Sequence, residues 1–228
     1  MSDRRRVWVT RAEPGASRTA GRLRAMGWEP VVQPLLAIRP LSPAVPELEG
    51  FDALVFTSRN GVSGFAALTP RRDLRVFAVG AATAQAASEA GFSDVQSADG
   101  AVDDLVALIA REMQPGERLL ALVARQPVAD LATLLNGRVQ VETLAVYEAV
   151  ETKADAPEDV AAILIHSPRA AVALAGLGVK TVQQCRIVAI SAQAAAPLQG
   201  LPIADLSIGT HPSETGMLEA LGKPAPAV

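Results

Sequence analysis

Arginines recur just beyond four short apolar runs of this sequence. The runs occupy residues 7–9, 53–56, 119–123 and 162–165, and the arginines that follow them are Arg11, Arg59, Arg125 and Arg169. A guanidinium group presents a planar fork of N–H donors that matches a carboxylate or a phosphate. Ligands of parallel α/β sheets bind beyond the carboxyl ends of the strands. The repetition therefore favours a polyanion site over the alternative that polar residues simply populate loops.

Hydroxyl and amide side chains accompany these arginines. They are Thr10, Thr57, Ser58, Asn60 and Ser167. Residues 79–83, a valine, a glycine, two alanines and Thr83, read as a strand end, a tight turn and a helix start. Small residues there let backbone N–H groups approach an anion, although an ordinary strand-to-helix turn would look the same. The sequence has no GxGxxG and no P-loop lysine.

Tyr147 is the only tyrosine, and it ends a strand-like run. A phenol at a strand end can donate a proton to a leaving group or a hydrogen bond to developing charge. The alternative is a packed strand tyrosine whose hydroxyl is satisfied. His166 next to Ser167 does not indicate a serine hydrolase, because adjacent strand residues point to opposite faces and no G-x-S-x-G is present.

Composition narrows the functional classes. Among 228 residues, 21 basic and 24 acidic side chains give a net charge of −3, so we expect neither nucleic acid nor an anionic membrane as a partner. A single cysteine and two histidines argue against a disulfide and against a Cys- or His-rich metal site. No apolar run approaches the roughly 18 residues of a membrane span, and no apolar signal core follows the N-terminal arginines. We therefore predict a cytoplasmic protein.

Short β-branched runs alternate with Ala- and Leu-rich stretches, which predicts an α/β fold of parallel βα units. The predicted strands of the first half are residues 7–10, 31–38, 53–56 and 76–79, with Pro34 placing the second at an edge or a bulge. The second half repeats this order at residues 119–123, 139–147, 162–165 and 187–190. Each lies about 110 residues after its counterpart, which favours internal duplication over chance recurrence of strand spacing.

Two segments read as breaks between domains. Residues 39–50 contain three prolines and residues 151–158 are charged, a composition typical of linkers. We predict that residues 39–148 form one lobe and that residues 1–37 with 151–228 form the other, each a flavodoxin-like parallel sheet flanked by helices. The strand-like runs before the two breaks would then pair as a two-stranded linker.

Several segments of the sequence, taken in order, resemble the uroporphyrinogen-III synthase family, and the resemblance extends over nearly the whole chain. The matching pieces are residues 7–11, 51–62, 78–84, 146–147 and 165–170. The resemblance implies two lobes joined by a two-stranded ladder. It also implies a linear tetrapyrrole substrate, hydroxymethylbilane, whose ring the enzyme closes with inversion of the last pyrrole. No metal and no organic cofactor are implied.

The resemblance also implies roles for individual residues. Tyr147 matches the family's tyrosine, which assists departure of the substrate hydroxyl, and the groups that receive carboxylates match Thr57, Ser58, Asn60, Thr83 and Ser167. We include Ala82 and Ser191 among the substrate-binding positions, together with Thr10 and the four arginines. Ser191 stands where the family usually has a glycine, and Ala194 where it has a threonine. We expect a monomer that takes its substrate by transient hand-over from the upstream deaminase.

A non-catalytic clamp is the competing interpretation. Two α/β lobes that close on an anionic metabolite would share the same strand-end arginines. A cytoplasmic regulator of this kind would normally carry a DNA-binding element, and none is evident in the sequence.

Overall fold

The computed structural model describes residues 5–178, 183 and 185–224. In chain order the strands of this part are β1 (Arg6–Val9), β2 (Glu29–Val32), β3 (Leu36–Pro40), β4 (Ala53–Phe56), β5 (Arg75–Ala78), β6 (Val95–Ser97), β7 (Arg118–Ala124), β8 (Gln140–Glu151), β9 (Ala162–Ile165), β10 (Arg186–Ala189) and β11 (Asp205–Ile208). The helices are α1 (Gly15–Ala25), α2 (Arg59–Leu68), α3 (Ala81–Glu89), α4 (Val102–Glu112), α5 (Leu131–Leu134), α6 (Pro168–Gly176), α7 (Ala192–Ala195) and α8 (Glu214–Leu221).

The chain divides into two compact units. Unit 1 comprises Met1–Ala37 and Val150–Val228, and unit 2 comprises Ile38–Ala149. The chain therefore leaves unit 1 within β3 and returns to it within β8.

Unit 1 is built on a five-stranded parallel sheet in the order β11-β10-β9-β1-β2. Alternate residues of β9 enter two separate cores, because successive strand side chains point to opposite faces. Ile163 and Ile165 pack with α6 and α7, whereas Leu164 packs with α1 and α8. The three central strands are buried on both faces, which explains their continuous apolar sequences.

Unit 2 has a six-stranded sheet in the order β3-β8-β7-β4-β5-β6. The pairs from β8 to β6 are parallel. β3 runs antiparallel to β8, since Leu41 N donates to Val146 O at 3.0 Å and Thr152 N donates to Leu35 O at 2.9 Å. Without β3, this sheet has the same arrangement as that of unit 1, with β8-β7-β4-β5-β6 corresponding to β2-β1-β9-β10-β11.

The structure corrects one sequence prediction. Residues 31–38 are not one strand but the end of β2 and the start of β3, which belong to different sheets. The chain changes sheets around Pro34, whose missing N–H cannot continue a ladder. Residues 39–50 lie in unit 2, with Leu48 buried in its core. Strands β6 and β11 were not predicted, since both are short, partly exposed edge strands with polar residues.

Candidate active site at the strand ends

The hydroxyls of Ser58 and Tyr147 meet at the carboxyl end of the unit 2 sheet. Ser58 follows β4 and caps α2, where its Oγ accepts a hydrogen bond from Gly61 N at 3.2 Å. The same Oγ lies 2.8 Å from the Tyr147 Oη, and either atom can be the donor. Because the cap fixes Ser58 against the positive end of α2, the tyrosine hydroxyl is oriented by a rigid element.

A β-bulge places Tyr147 in this position. Val123 of β7 is paired with Ala145, but the next residue, Ala124, is paired with Tyr147, so Val146 is the extra residue. Such bulges bend a strand and redirect its side chains. Arg125 N donates to Tyr147 O at 2.8 Å, which holds the tyrosine backbone beyond the end of β7.

A buried carboxylate, Glu148, lies next to Tyr147 and was not predicted. Only 9% of the residue is exposed. Arg39 donates to its Oε1 from Nε at 2.6 Å and also from Nη2, and the Arg125 Nη1 lies 3.3 Å from Oε2. Both guanidinium groups keep most of their surface exposed, so two cations share one carboxylate and leave a positive excess at this edge. β8 also contains Glu142 and Glu151, so its sequence does not single out Glu148 as the buried one.

The turn between β5 and α3 borders a cavity of about 490 Å³, lined by residues 79–83, Asp99 and Gly100. Gly80 is the N-cap of α3 and has no side chain to satisfy the first amides of the helix. Ala81 and Ala82 are exposed there, and Thr83 is almost buried. The helix start is therefore suited to an anion, while the Asp99 carboxylate in the same lining offsets part of that attraction.

The remaining predicted residues of unit 2 lie at the same edge. Thr57, Arg59 and Asn60 surround Ser58 and are half-buried, with Arg59 as the first residue of α2. Arg125 is exposed just beyond β7. The structure therefore gathers after β4, β5 and β7 the groups that the sequence placed at strand ends.

In unit 1 the serines at strand ends are helix caps. Ser167 accepts from Ala170 N and Ser191 accepts from Ala194 N, both at 3.2 Å. Ser167 has φ −160° and ψ 157°, nearly the values of Ser58, and Ser191 has the extended conformation of Gly80. A hydroxyl thus stands where unit 2 has a bare glycine cap.

The threonine and the arginines of unit 1 differ in their surroundings. Thr10 is fully buried, and its Oγ1 donates to Leu164 O at 2.6 Å, so this hydroxyl holds β1 to β9. The Arg11 Nη1 lies 3.8 Å from the Glu214 Oε2, at the first turn of α8. Arg169 is half-buried in the first turn of α6.

His166 has an unusual environment at the end of β9. Both ring nitrogens are buried and have no hydrogen-bond partner among the residues that the structure describes. Burial, and secondarily the charge of Arg11, lowers the pKa of His166 to about 3. The imidazole is therefore neutral at physiological pH.

We expect this histidine to weaken the fold in acid. Its pKa is about 3 in the folded protein and about 6.5 when unfolded, so stability is lost as the pH falls below about 6.5, by about 1.4 kcal/mol per unit. Between pH 7.5 and pH 5.0 the unchanged protein should lose about 2 kcal/mol more unfolding free energy than His166→Phe, as measured by urea denaturation. His166→Gln, which cannot ionise, should show the same reduced slope. Equal slopes in all three proteins would contradict the prediction.

Neither a metal centre nor a membrane-spanning helix is found among the described residues. No group of three or more His, Cys, Asp or Glu side chains in this part of the chain is arranged to hold a metal ion. No helix in the same residues has the length and apolarity needed to cross a membrane.

Comparisons with known proteins identify a family for this chain and solved structures with a similar fold. The family model described as uroporphyrinogen-III synthase HemD matches residues 17–219. The uroporphyrinogen-III synthetase of Helicobacter pylori 26695 is similar in structure, with a TM-score of 0.66 and 20% identity over 95% of this chain and 97% of that chain. A mutant uroporphyrinogen III synthase from the extremely thermophilic bacterium Thermus thermophilus has a TM-score of 0.55 and 19% identity over 95% and 96%. No curated protein sequence matches the chain.

Proposed function

This chain belongs to the uroporphyrinogen-III synthase family, whose members are cyclising lyases of tetrapyrrole biosynthesis, and from that membership we propose how its residues act. The substrate is hydroxymethylbilane and the product is uroporphyrinogen III. The terminal hydroxyl of this linear tetrapyrrole leaves as water, which generates an electrophilic azafulvene. The substituted carbon of the last pyrrole attacks it to form a spiro intermediate, which fragments and closes again with that ring inverted.

Tyr147 assists the first step. Its hydroxyl donates a proton or a hydrogen bond to the departing hydroxyl, since a neutral alcohol is a poor leaving group until it is protonated. The 2.8 Å contact between the Tyr147 Oη and the Ser58 Oγ is the observation that carries this assignment. Ser58 is anchored as a helix cap, so it keeps the phenol in one orientation and can donate a hydrogen bond to the phenol oxygen as negative charge develops there.

The strand ends bind the carboxylate arms of the substrate. Holding a flexible polyanion in one folded conformation favours attack from the substituted carbon over direct closure, so catalysis is mainly positioning. In unit 2 two features support carboxylate binding: the start of α3 with its cavity, and the positive excess around Glu148. The proposed substrate-binding residues are Thr10, Arg11, Thr57, Ser58, Arg59, Asn60, Ala82, Thr83, Arg125, Ser167, Arg169 and Ser191. Because the Thr10 hydroxyl is occupied within the sheet, its contribution is to position Arg11.

The two units act as lobes that arose by duplication, with residues 1–37 and 151–228 in one lobe and 39–148 in the other. Support comes from the shared strand order and from the matching cap conformations of Ser58 and Ser167. The paired strands β3 and β8 serve as the two-stranded linker. By the family's example, the protein works in the cytoplasm as a monomer and receives its substrate by transient hand-over from the deaminase.

An isomer assay tests the function. The purified protein is given freshly generated hydroxymethylbilane, the products are oxidised, and the type I and type III porphyrins are separated. We expect type III to predominate, against the type I product of the spontaneous reaction. If only type I forms, the enzyme assignment is wrong, and the non-catalytic clamp for an anionic metabolite becomes the function to pursue.

A further inference from the structure

His166 lies at the centre of the carboxyl edge of the unit 1 sheet. β9 is flanked by β1 and β10, and continuing the registers of Val9 with Leu164 and of Ala189 with Ile165 places His166 opposite Arg11 and Ile190. Strand alternation puts its ring on the same face as Leu164, the face that α1 and α8 cover. The imidazole is therefore a polar group among the residues that end these strands.

The groups around this ring do not satisfy it. Arg11 approaches from the turn between β1 and α1, and a guanidinium has no acceptor to offer. The carboxylate of Glu214 in α8 accepts from Thr19 and lies 3.8 Å from Arg11 and 3.9 Å from Arg22, and it makes no hydrogen bond to the ring. On the β10 side, the position opposite is the apolar Ile190. A buried donor or acceptor left without a partner lowers the stability of the fold by about 1–3 kcal/mol. The presence of a histidine at position 166 therefore calls for an explanation.

We propose that His166 contacts the substrate in a conformation that uncovers its ring nitrogens, its neutral imidazole donating an N–H to a carboxylate arm of the tetrapyrrole beside Arg11. This assignment rests on the proposed function and adds to it a contact in unit 1. A carboxylate fits because Arg11 supplies positive charge and the imidazole supplies a directional donor. The other ring nitrogen remains an acceptor, which suits a pyrrole N–H of the same substrate.

Two substitutions separate hydrogen bonding from packing. Phenylalanine keeps a flat ring without polar atoms, whereas glutamine keeps a donor and an acceptor. For His166→Phe we expect KM for hydroxymethylbilane to rise about tenfold while kcat falls less than about threefold and type III remains the product. For His166→Gln we expect a KM within about threefold of the unchanged protein. An unchanged KM in His166→Phe would overturn the proposal.

A spectroscopic measurement on the unchanged protein avoids any effect of substitution on folding. His166 and His211 are the only histidines, so ¹⁵N-histidine labelling gives two resolvable rings. On titration with uroporphyrin III, the oxidised product, the ring signals of His166 should shift saturably, while those of the exposed His211 should not. Saturable binding seen by absorbance without a shift at His166 would contradict the contact.

The same titration distinguishes failure of the function from failure of the inference. A protein that yields only type I isomer and still shifts His166 retains the carboxylate contact without the activity. A protein that yields type III but shows neither the His166 shift nor the KM effect retains the activity without the contact.

Discussion

Tyr147→Phe is expected to reduce the rate of enzymatic type III formation about 100-fold, the lower end of what general acid catalysis contributes. The phenol is half-buried, and its hydroxyl lies 2.8 Å from the Ser58 Oγ. Phenylalanine keeps the ring packed against the unit 2 core and removes only the hydroxyl. Because spontaneous closure competes, the product should shift toward type I as the enzyme slows. The measurement is the isomer ratio against enzyme concentration, with kcat and KM determined from initial rates.

Ser58→Ala is the matched comparison. It removes the partner of the phenol but also the cap of α2, which costs about 1 kcal/mol of stability. We expect a smaller loss of rate than in Tyr147→Phe, about tenfold, because the phenol can still reach the leaving group. If Tyr147→Phe retains full kcat with type III product, Tyr147 is a packed aromatic and another group assists the leaving hydroxyl.

Gly64→Ala is expected to lower the unfolding free energy by about 2–3 kcal/mol, an overpacking effect. A Cβ at Gly64 would lie 2.8 Å from Val146 O and 3.0 Å from its Cγ2. The nearest atom is backbone, and Val146 is the extra residue of the bulge, so relief requires β8 to move. Since Tyr147 follows directly, activity should fall along with stability. Urea denaturation and the isomer assay measure the two effects.

Gly21→Ala provides the control for Gly64→Ala. Gly21 lies on an exposed part of α1, and a Cβ there would meet no atom within 4 Å. Alanine in a helix is favoured over glycine by roughly 0.5–1 kcal/mol, so this variant should be slightly more stable and fully active. If both variants gain stability alike, α2 does not pack against the bulge as closely as the structure has it.

Local features of the fold were predictable because they depend on short stretches of chain. Four-residue apolar runs such as those of β4 and β9 indicate buried parallel strands. A serine before a helix indicates an N-cap, as found at Ser58 and Ser167. The repeated spacing of these signals indicated which strand of one half corresponds to which strand of the other. In the same way, the strand-end arginines were visible in the sequence because each belongs to a single βα turn.

The contacts that make the candidate site required the tertiary structure. Ser58 and Tyr147 are 89 positions apart, and they meet because a one-residue bulge in β8 changes the pairing with β7. No local propensity reports a bulge, since it depends on which strand lies alongside. Glu148 and Arg39 pair because β8 lies beside β3 in the sheet. His166 lacks a partner among the described residues because none of their hydrogen-bonding groups lies within reach of its ring. The sequence by itself determined the buried central strands and the charged strand ends, because each depends on a short stretch of chain, whereas long-range packing alone decided which of these groups touch.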